Sequence, residues 1–189
     1  MLAQQLAQVN VLEERVGKEI AKRVAPFEAE LAALDGIPGV GCRTAEAIVA
    51  EVEATVERFQ GPEQLASWSG MCPGNHESAG KRQSGRTRRG NPWLRAALVE
   101  AVIATSRTKD AYLGAQYCRL VARRGQKRAA VAVGHTILVS AYYLLKRTVS
   151  YQDLGGDYFE RHNRQDVERH LMPHLGCRGY KVTREEAAG

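Results

Sequence analysis

The sequence has few cysteines, and those it has are widely separated. Its four cysteines, Cys42, Cys72, Cys118 and Cys177, form no CxxC pair. Closely spaced cysteine pairs are typical of zinc sites, so the spacing argues against one in this chain. Isolated thiols are typical of a reducing compartment such as a cytoplasm.

Long apolar runs and alternating patterns are also lacking. No run approaches the roughly 20 apolar residues that a membrane span needs, and the first twenty residues do not have the pattern of a signal peptide. No strand-like alternation of apolar and polar residues persists, and there is no internal repeat. The sequence therefore predicts a soluble, intracellular, almost entirely helical protein with no membrane partner.

Charge is not balanced. The 189 residues include 27 Lys and Arg against 21 Asp and Glu, for a formal net charge of +6 and a pI of about 9.3. A chain of this length buries one sound core with a smaller appendage. The excess of cations favours an anionic partner.

The cations are concentrated in one stretch, residues 72–95, which we call the basic loop. Glycines and flanking prolines punctuate it, which is typical of a loop rather than a helix or strand. Between Gly80 and Arg95 it has no acid. A phosphate backbone is the expected ligand. The residues predicted to bind nucleic acid here are Lys81, Arg82, Arg86, Arg88, Arg89, Asn91 and Arg95.

Residues 2–34 carry apolar side chains three and four positions apart, which predicts a helix with one apolar stripe. Pro26 should kink or divide it. Two interpretations remain open, an amphipathic helix lying on its own domain and a coiled-coil arm that pairs with another chain. We favour pairing, and so a homo-oligomer.

Residues 34–52 contain the order Ile-Pro-Gly-Val-Gly followed by a helical pattern, which resembles a helix-hairpin-helix motif. In such motifs, glycines let backbone N–H groups at a helix start approach a phosphate. Gly39, Gly41, Arg43 and Thr44 are the predicted contacts. A plain helical hairpin is the alternative.

The rest of the chain predicts further helices. One begins at Pro92 with its positive dipole end toward the basic loop, one spans about 111–123, and 129–146 is the expected core helix. His135 in that helix is interpreted as a core residue. Residues 151–159 predict an aromatic turn docked on the core, and 161–175 a charged helix. In that helix, His170 and His174 are interpreted as solvent-facing rather than metal-binding.

These elements resemble, in their order and in the stretch from Leu65 to Arg95, the C-terminal transposase domain of bridge-RNA-guided DEDD/serine insertion-sequence transposases. The resemblance covers about 31–180. It implies an all-α fold with a coiled-coil-like arm at 1–33, a helical transposase domain at 34–182 with the helix-hairpin-helix at 34–52, and a frayed tail at 183–189.

The resemblance also implies a catalytic residue. The family's serine-Gly-Gly-Lys element falls on Ser78-Ala79-Gly80-Lys81, so Ser78 is the expected nucleophile. Ser84 is the alternative. In the family, a RuvC-like domain with four acidic metal ligands precedes this domain. We expect Mg²⁺ there and none on this chain, which would be a fragment or the product of a truncated gene.

The implied activity is DNA cleavage and rejoining through a phosphoserine, with transposon and target DNA and a guide RNA as partners, in a bacterial cytoplasm at the nucleoid. No convincing general base accompanies Ser78, although His76 and Glu77 are near it. Two other hypotheses remain. One is a helix-hairpin-helix module that binds DNA or RNA backbone without chemistry, and the other is a structural dimerisation domain.

Overall fold

The computed structural model describes residues 1–53, 56–74, 76–147, 149–162 and 177, and all structural statements concern these residues. Seven helices and two strands occur in them. In chain order they are α1 (Leu2–Val24), a 3₁₀ turn (Ala25–Phe27), α2 (Glu28–Asp35), α3 (Cys42–Val52), α4 (Pro62–Trp68), β1 (His76–Ser78), β2 (Lys81–Ser84), α5 (Pro92–Thr105), α6 (Tyr112–Arg124) and α7 (Gln126–Arg147). The predicted helical fold is confirmed.

The basic loop is where the prediction needs correction. Part of it is a two-stranded antiparallel hairpin instead of irregular loop. Ala79 and Gly80 both have positive φ, 49° and 73°, as a two-residue type I′ turn requires. The strands are too short to show an alternating pattern, and the glycines and cations conceal them.

Helix α7 is the centre of the core. It packs against α2, α4, α5 and α6. Gly134 lets the neighbours come close, since a Cβ there would lie 2.5 Å from Met71 Cε. The helix is also long and apolar enough to cross a membrane by length and composition, which the sequence analysis missed. Half of its apolar window is buried inside the bundle, as in the core helix of a soluble protein.

Helix α1 has no buried residue. Its exposed apolar side chains are Leu2, Leu6, Val9, Val11, Leu12 and Val16. Pro26 lies in the 3₁₀ turn that separates α1 from α2, so the predicted division of this helix is confirmed. Pairing of α1 with another chain stays a prediction.

The predicted docking of residues 151–159 is confirmed. Asp153 Oδ1 accepts a hydrogen bond from Tyr112 N at 2.9 Å and therefore caps the start of α6 from a distant part of the chain. The Tyr112 ring stacks on Phe159 with centroids 5.0 Å apart. The predicted helix at 161–175 with His170 and His174, and the tail at 183–189, lie almost wholly outside the described residues.

Candidate nucleic-acid interface

Residues 73–89, which we call the basic hairpin, form one projecting unit. Near its tip the backbone of Ser78 pairs with that of Lys81 and Glu77 with Arg82, and a bulge follows before His76 pairs with Ser84. Below the bulge, Gly74 N donates to Arg86 O at 3.0 Å. Pro73 and Thr87 form a further bridge. The pairing therefore continues from the tip toward the core.

The base of the hairpin is held by contact between two backbones. A Cβ at Gly90 would overlap Gly70 N and the Ser69 carbonyl group, and a Cβ at Gly70, where φ is +74°, would lie 2.9 Å from Gly90 N. Arg95 Nη1 donates to Thr87 Oγ1 at 3.1 Å and to Gly70 O at 3.4 Å. Arg95 was predicted to bind nucleic acid. The structure uses one of its nitrogens to fasten the hairpin to α5.

The two candidate serines have different surroundings. Ser78 is exposed at the end of β1 and lies directly across from Lys81, with which it flanks the turn. No hydrogen bond to Ser78 Oγ occurs among the described residues. Ser84 Oγ instead accepts from Arg86 N at 3.2 Å, a local turn bond that gives this hydroxyl a structural role. Among the described residues, Ser84 Oγ is thus engaged in a hydrogen bond and Ser78 Oγ is not.

Four predicted cations of the hairpin, Lys81, Arg86, Arg88 and Arg89, are exposed. Within the described part of the chain none of them takes part in an ion pair. For Arg82 the structure gives the backbone position opposite Glu77. Cations held close together without acids favour binding of a polyanion.

Asn91, another predicted nucleic-acid contact, is hydrogen-bonded within the protein. Its Oδ1 accepts from Trp93 N at 3.0 Å and from Leu94 N at 3.1 Å, and its Nδ2 donates to Glu51 Oε2. It is the N-cap of α5. The amide groups expected to offer a positive helix end to the loop are therefore partly satisfied within the protein.

In the turn between α2 and α3, residues 36–41, the two predicted glycines face different surroundings. Gly39 has φ +86°, and a Cβ there would overlap Thr105 Oγ1 and the Ala101 carbonyl oxygen. Its missing side chain makes room for α5. A Cβ at Gly41 would meet nothing within 4 Å. Only Gly41 keeps the open approach that a phosphate would need.

Arg43, in the first turn of α3, lies among acids. Its Nη1 is 3.0 Å from Glu46 Oε2. It also lines a shallow cleft with Glu13, Glu14 and Gly17 of α1. The hydrogen bond and charge of Glu46 raise the pKa of Arg43, with a smaller contribution from Glu13. Thr44 is half-buried.

The two predicted contact regions lie at opposite ends of α5. The hairpin joins α5 at Asn91, and the α2–α3 turn meets it at Thr105, whose Oγ1 donates to Pro38 O. A helix of 14 residues separates its ends by about 20 Å. The structure brings Ser78 and the hairpin cations together and leaves Gly39, Gly41, Arg43 and Thr44 apart from them.

The predicted site set omitted two features. Trp93 is 75% exposed at the start of α5. The buried residues of α5 are Leu94, Leu98, Ala101, Val102 and Thr105, so the helical periodicity alone could have placed Trp93 outside the core. The second is the basic corner between α6 and α7, formed by the exposed side chains of Arg123, Arg124, Lys127 and Arg128, none of which is in the predicted set.

Other candidate residues give no site. His135 is half-buried on α7, and burial lowers its pKa and favours the neutral form. Among the described residues no three His, Cys, Asp or Glu side chains come together as metal ligands do.

Comparison with known proteins places the hairpin in a family context. Residues 31–118 match the model of the family described as Transposase IS116/IS110/IS902 family. The matched segment runs from α2 into α6 and contains the whole basic hairpin. Over this segment the chain is similar in sequence to insertion-sequence transposases.

Two relatives extend the match beyond that segment. The transposase for insertion sequence element IS1111A of Coxiella burnetii is 31% identical over a 150-residue alignment that covers 74% of this chain and 40% of that protein. "Putative transposase y4pF/y4sB" of Sinorhizobium fredii is 29% identical over a 161-residue alignment that covers 79% of this chain and 38% of that protein. The chain thus spans about two fifths of the length of these relatives.

Proposed function

We propose that this chain is the part of an insertion-sequence transposase that carries the nucleophilic serine, and that Ser78 attacks a phosphodiester of DNA. The observation that carries the proposal is the position of Ser78. Its hydroxyl is exposed beside a tight turn, opposite Lys81 and on the same hairpin as the arginines. The match of residues 31–118 to a transposase family supports it.

The proposed step is a transesterification. Ser78 Oγ loses its proton and forms a bond to phosphorus, while one DNA oxygen leaves with its bonding electrons and takes up a proton. Arginine side chains stabilise the negative charge that develops on the phosphate oxygens. Attack on the phosphoserine by the hydroxyl of another strand reverses the step and rejoins DNA without an external energy source.

The proposed reaction requires a second domain. No general base is hydrogen-bonded to Ser78 Oγ among the described residues. We propose that a RuvC-like acidic domain, on the same or a partner chain, completes the site. Mg²⁺ bound by that domain would supply charge stabilisation and an activated hydroxyl. The isolated chain would then bind nucleic acid but exchange no strands.

The proposed partners are transposon-end and target DNA, a structured guide RNA and a second copy of the chain, in the bacterial cytoplasm at the nucleoid. Helix α1 supports the second copy, because an exposed apolar stripe this long is costly in water. Sedimentation of the intact chain and of a Leu6→Glu, Leu12→Glu variant tests it. A monomer in both would leave α1 a plain surface helix.

The deciding experiment traps the protein–DNA adduct with the complete transposase and maps the modified peptide by mass spectrometry. Ser78→Ala should abolish the adduct and leave DNA affinity within about twofold, since one exposed hydroxyl contributes little to phosphate binding. Ser84→Ala is the matched control and should retain the adduct. An adduct on Ser84, or full activity of the Ser78→Ala protein, would contradict the assignment.

A second candidate function is a module that binds DNA or RNA backbone without chemistry. Among the side chains that the structure describes, no base is hydrogen-bonded to Ser78 Oγ, which favours it. The adduct experiment separates the two, because a binding module forms no covalent product even when the acidic half is supplied.

A further inference from the structure

Trp93 is a large aromatic side chain at the surface, outside every aromatic contact of the described residues. It is 75% exposed, whereas the other tryptophan, Trp68, is 38% exposed and packs on Phe59 with centroids 5.6 Å apart. The backbone beneath it is fixed, since Trp93 N donates to the Asn91 cap. The indole is therefore held on a rigid helix start and offered to solvent.

The direction of the helices shows what lies near this end of α5. Helices α6 and α7 are joined by Gly125 alone and run antiparallel, with Gln116 Nε2 donating to Thr136 Oγ1 at 3.3 Å. Gly114, half a turn before Gln116, is therefore level with the residues just after Thr136.

Helix α5 runs in the same direction as α7. Gly134 of α7 faces Leu98 and Val102 of α5, and Gly114 of α6 packs against Thr105 at the end of α5. Residue numbers along α5 and α7 therefore increase toward the same end of the bundle. Both helices begin at the same end of the bundle.

That end carries two groups of cations. One is the basic hairpin, whose Arg88 and Arg89 immediately precede α5. The other is the basic corner between α6 and α7, formed by the exposed side chains of Arg123, Arg124, Lys127 and Arg128. None of the corner cations is in an ion pair within the described ranges. An exposed indole therefore shares one end of the molecule with two unneutralised basic groups.

We propose that this end of the bundle binds an unpaired nucleic-acid strand, with one base stacked on Trp93 and phosphates held by the hairpin and by the basic corner. An indole gains stacking energy from a base whose face is free, and bases inside a duplex already stack on their neighbours. The proposal rests on the proposed function for the nature of the ligand. The inference adds to the proposed function that the ligand is an unpaired strand, that a base stacks on Trp93, and that the hairpin and the basic corner bind its phosphates.

The test compares a labelled oligothymidine with a labelled duplex by fluorescence anisotropy at fixed salt. Trp93→Ala should weaken binding of the single strand about fivefold or more and change duplex binding less than twofold. Trp93→Phe keeps an aromatic face and should retain most of the affinity. Ile103→Ala is the matched control, since Ile103 is an exposed apolar residue at the other end of α5.

Two further measurements separate stacking from a structural effect. In a Trp68→Phe chain, the fluorescence of Trp93 should be quenched as the single strand binds. Replacing the four corner cations by Ala should lower the single-strand salt slope by about 3, at roughly 0.7 per phosphate contact. Oligouridine in place of oligothymidine shows whether an RNA or a DNA strand is preferred.

Unchanged single-strand affinity in Trp93→Ala, or an equal loss for single strand and duplex, would overturn the inference. So would the absence of quenching. The proposed function is tested independently, because it depends on the Ser78 adduct. If the complete, unaltered transposase formed no adduct on Ser78 while Trp93 still stacked on the single strand, the serine assignment would be refuted and the strand site would stand.

Discussion

The basic hairpin and the α2–α3 turn both combine glycines with cations, and they lie at opposite ends of α5. In the basic hairpin, Gly80 has open space around it and the four described cations have no acidic partner. In the α2–α3 turn, α5 occupies the space that a side chain at Gly39 would need, and Arg43 is paired with Glu46. Similar residue types thus serve packing in one segment and leave a free basic surface in the other.

The difference lies in what each segment packs against. The α2–α3 turn meets α5 and lies beside α1, so its glycine is needed for close approach and its cation is neutralised locally. The hairpin meets the core at its base, at Gly70 and Gly90 and through Arg95, and its described cations are exposed. A glycine next to a cation therefore indicates a phosphate site only where neighbouring elements leave both of them free.

The largest effect should come from the glycines. Gly39→Ala should destabilise the fold by about 2–4 kcal/mol, because the new Cβ combines a left-handed backbone with overlap on Thr105. Gly41→Ala should cost less than about 1 kcal/mol, since φ is −90° and the space is open. Urea unfolding of both variants measures this. Equal losses in the free energy of unfolding would contradict the difference in packing between Gly39 and Gly41.

The next largest effect should come from the hairpin cations. Replacing Arg86, Arg88 and Arg89 by Ala should reduce the salt slope of duplex binding by about 3, at roughly 0.9 per phosphate contact. Arg43→Ala should change the slope by less than about 0.5, because Arg43 is already paired. Anisotropy titrations at several salt concentrations measure both slopes. A larger change for Arg43 would reverse the comparison.

A smaller effect is expected at the tip of the hairpin. Ala79 has φ +49°, which costs a residue with a Cβ about 1 kcal/mol, so Ala79→Gly should stabilise the turn by a similar amount. Slower amide exchange of the β1 and β2 residues would show it. Ala50→Gly, on the exposed face of α3, is the control and should destabilise its helix. Faster exchange in the Ala79→Gly hairpin would contradict the turn geometry.

The smallest effect is expected at the cleft beside Arg43. Glu13→Gln with Glu14→Gln should raise duplex affinity about twofold at low salt, since two screened charges near the α2–α3 turn are removed. Glu57→Gln with Glu100→Gln makes the same change in net charge elsewhere on the surface. If both pairs raise affinity equally, the effect is one of overall charge and the acids of α1 do not shield the turn.

Much of the fold follows from the sequence. The apolar spacing predicts the helices, Pro26 predicts the break between α1 and α2, and the aromatic residues of 151–159 predict docking on the core. These are local signals that tertiary packing reinforces. The short hairpin was missed because a three-residue strand has too few positions for a periodic pattern.

The site was only partly predictable. Clustering of cations along the chain predicted the basic loop as the candidate interface, because its residues are contiguous. The engagement of Asn91 with Glu51 and of Gly39 with Thr105 depends on residues 40 and 66 positions away in sequence. The position of Trp93 near the α6–α7 corner depends on the direction in which helices pack. Neither kind of contact can be read from composition or spacing.

The base of the hairpin has a consequence for how the sequence can change. Gly70 and Gly90 meet backbone to backbone, and Arg95 of α5 reaches the hairpin there at Thr87. A side chain at Gly74 should disturb the strand pairing, because its Cβ would lie 2.6 Å from Arg86 O. Substitutions at the exposed tip, residues 78–81, should be nearly silent for folding of the bundle. A change at either glycine should act on the whole domain. The hairpin tip is in this sense an exchangeable module, and mutational tolerance should change abruptly at Gly70 and Gly90.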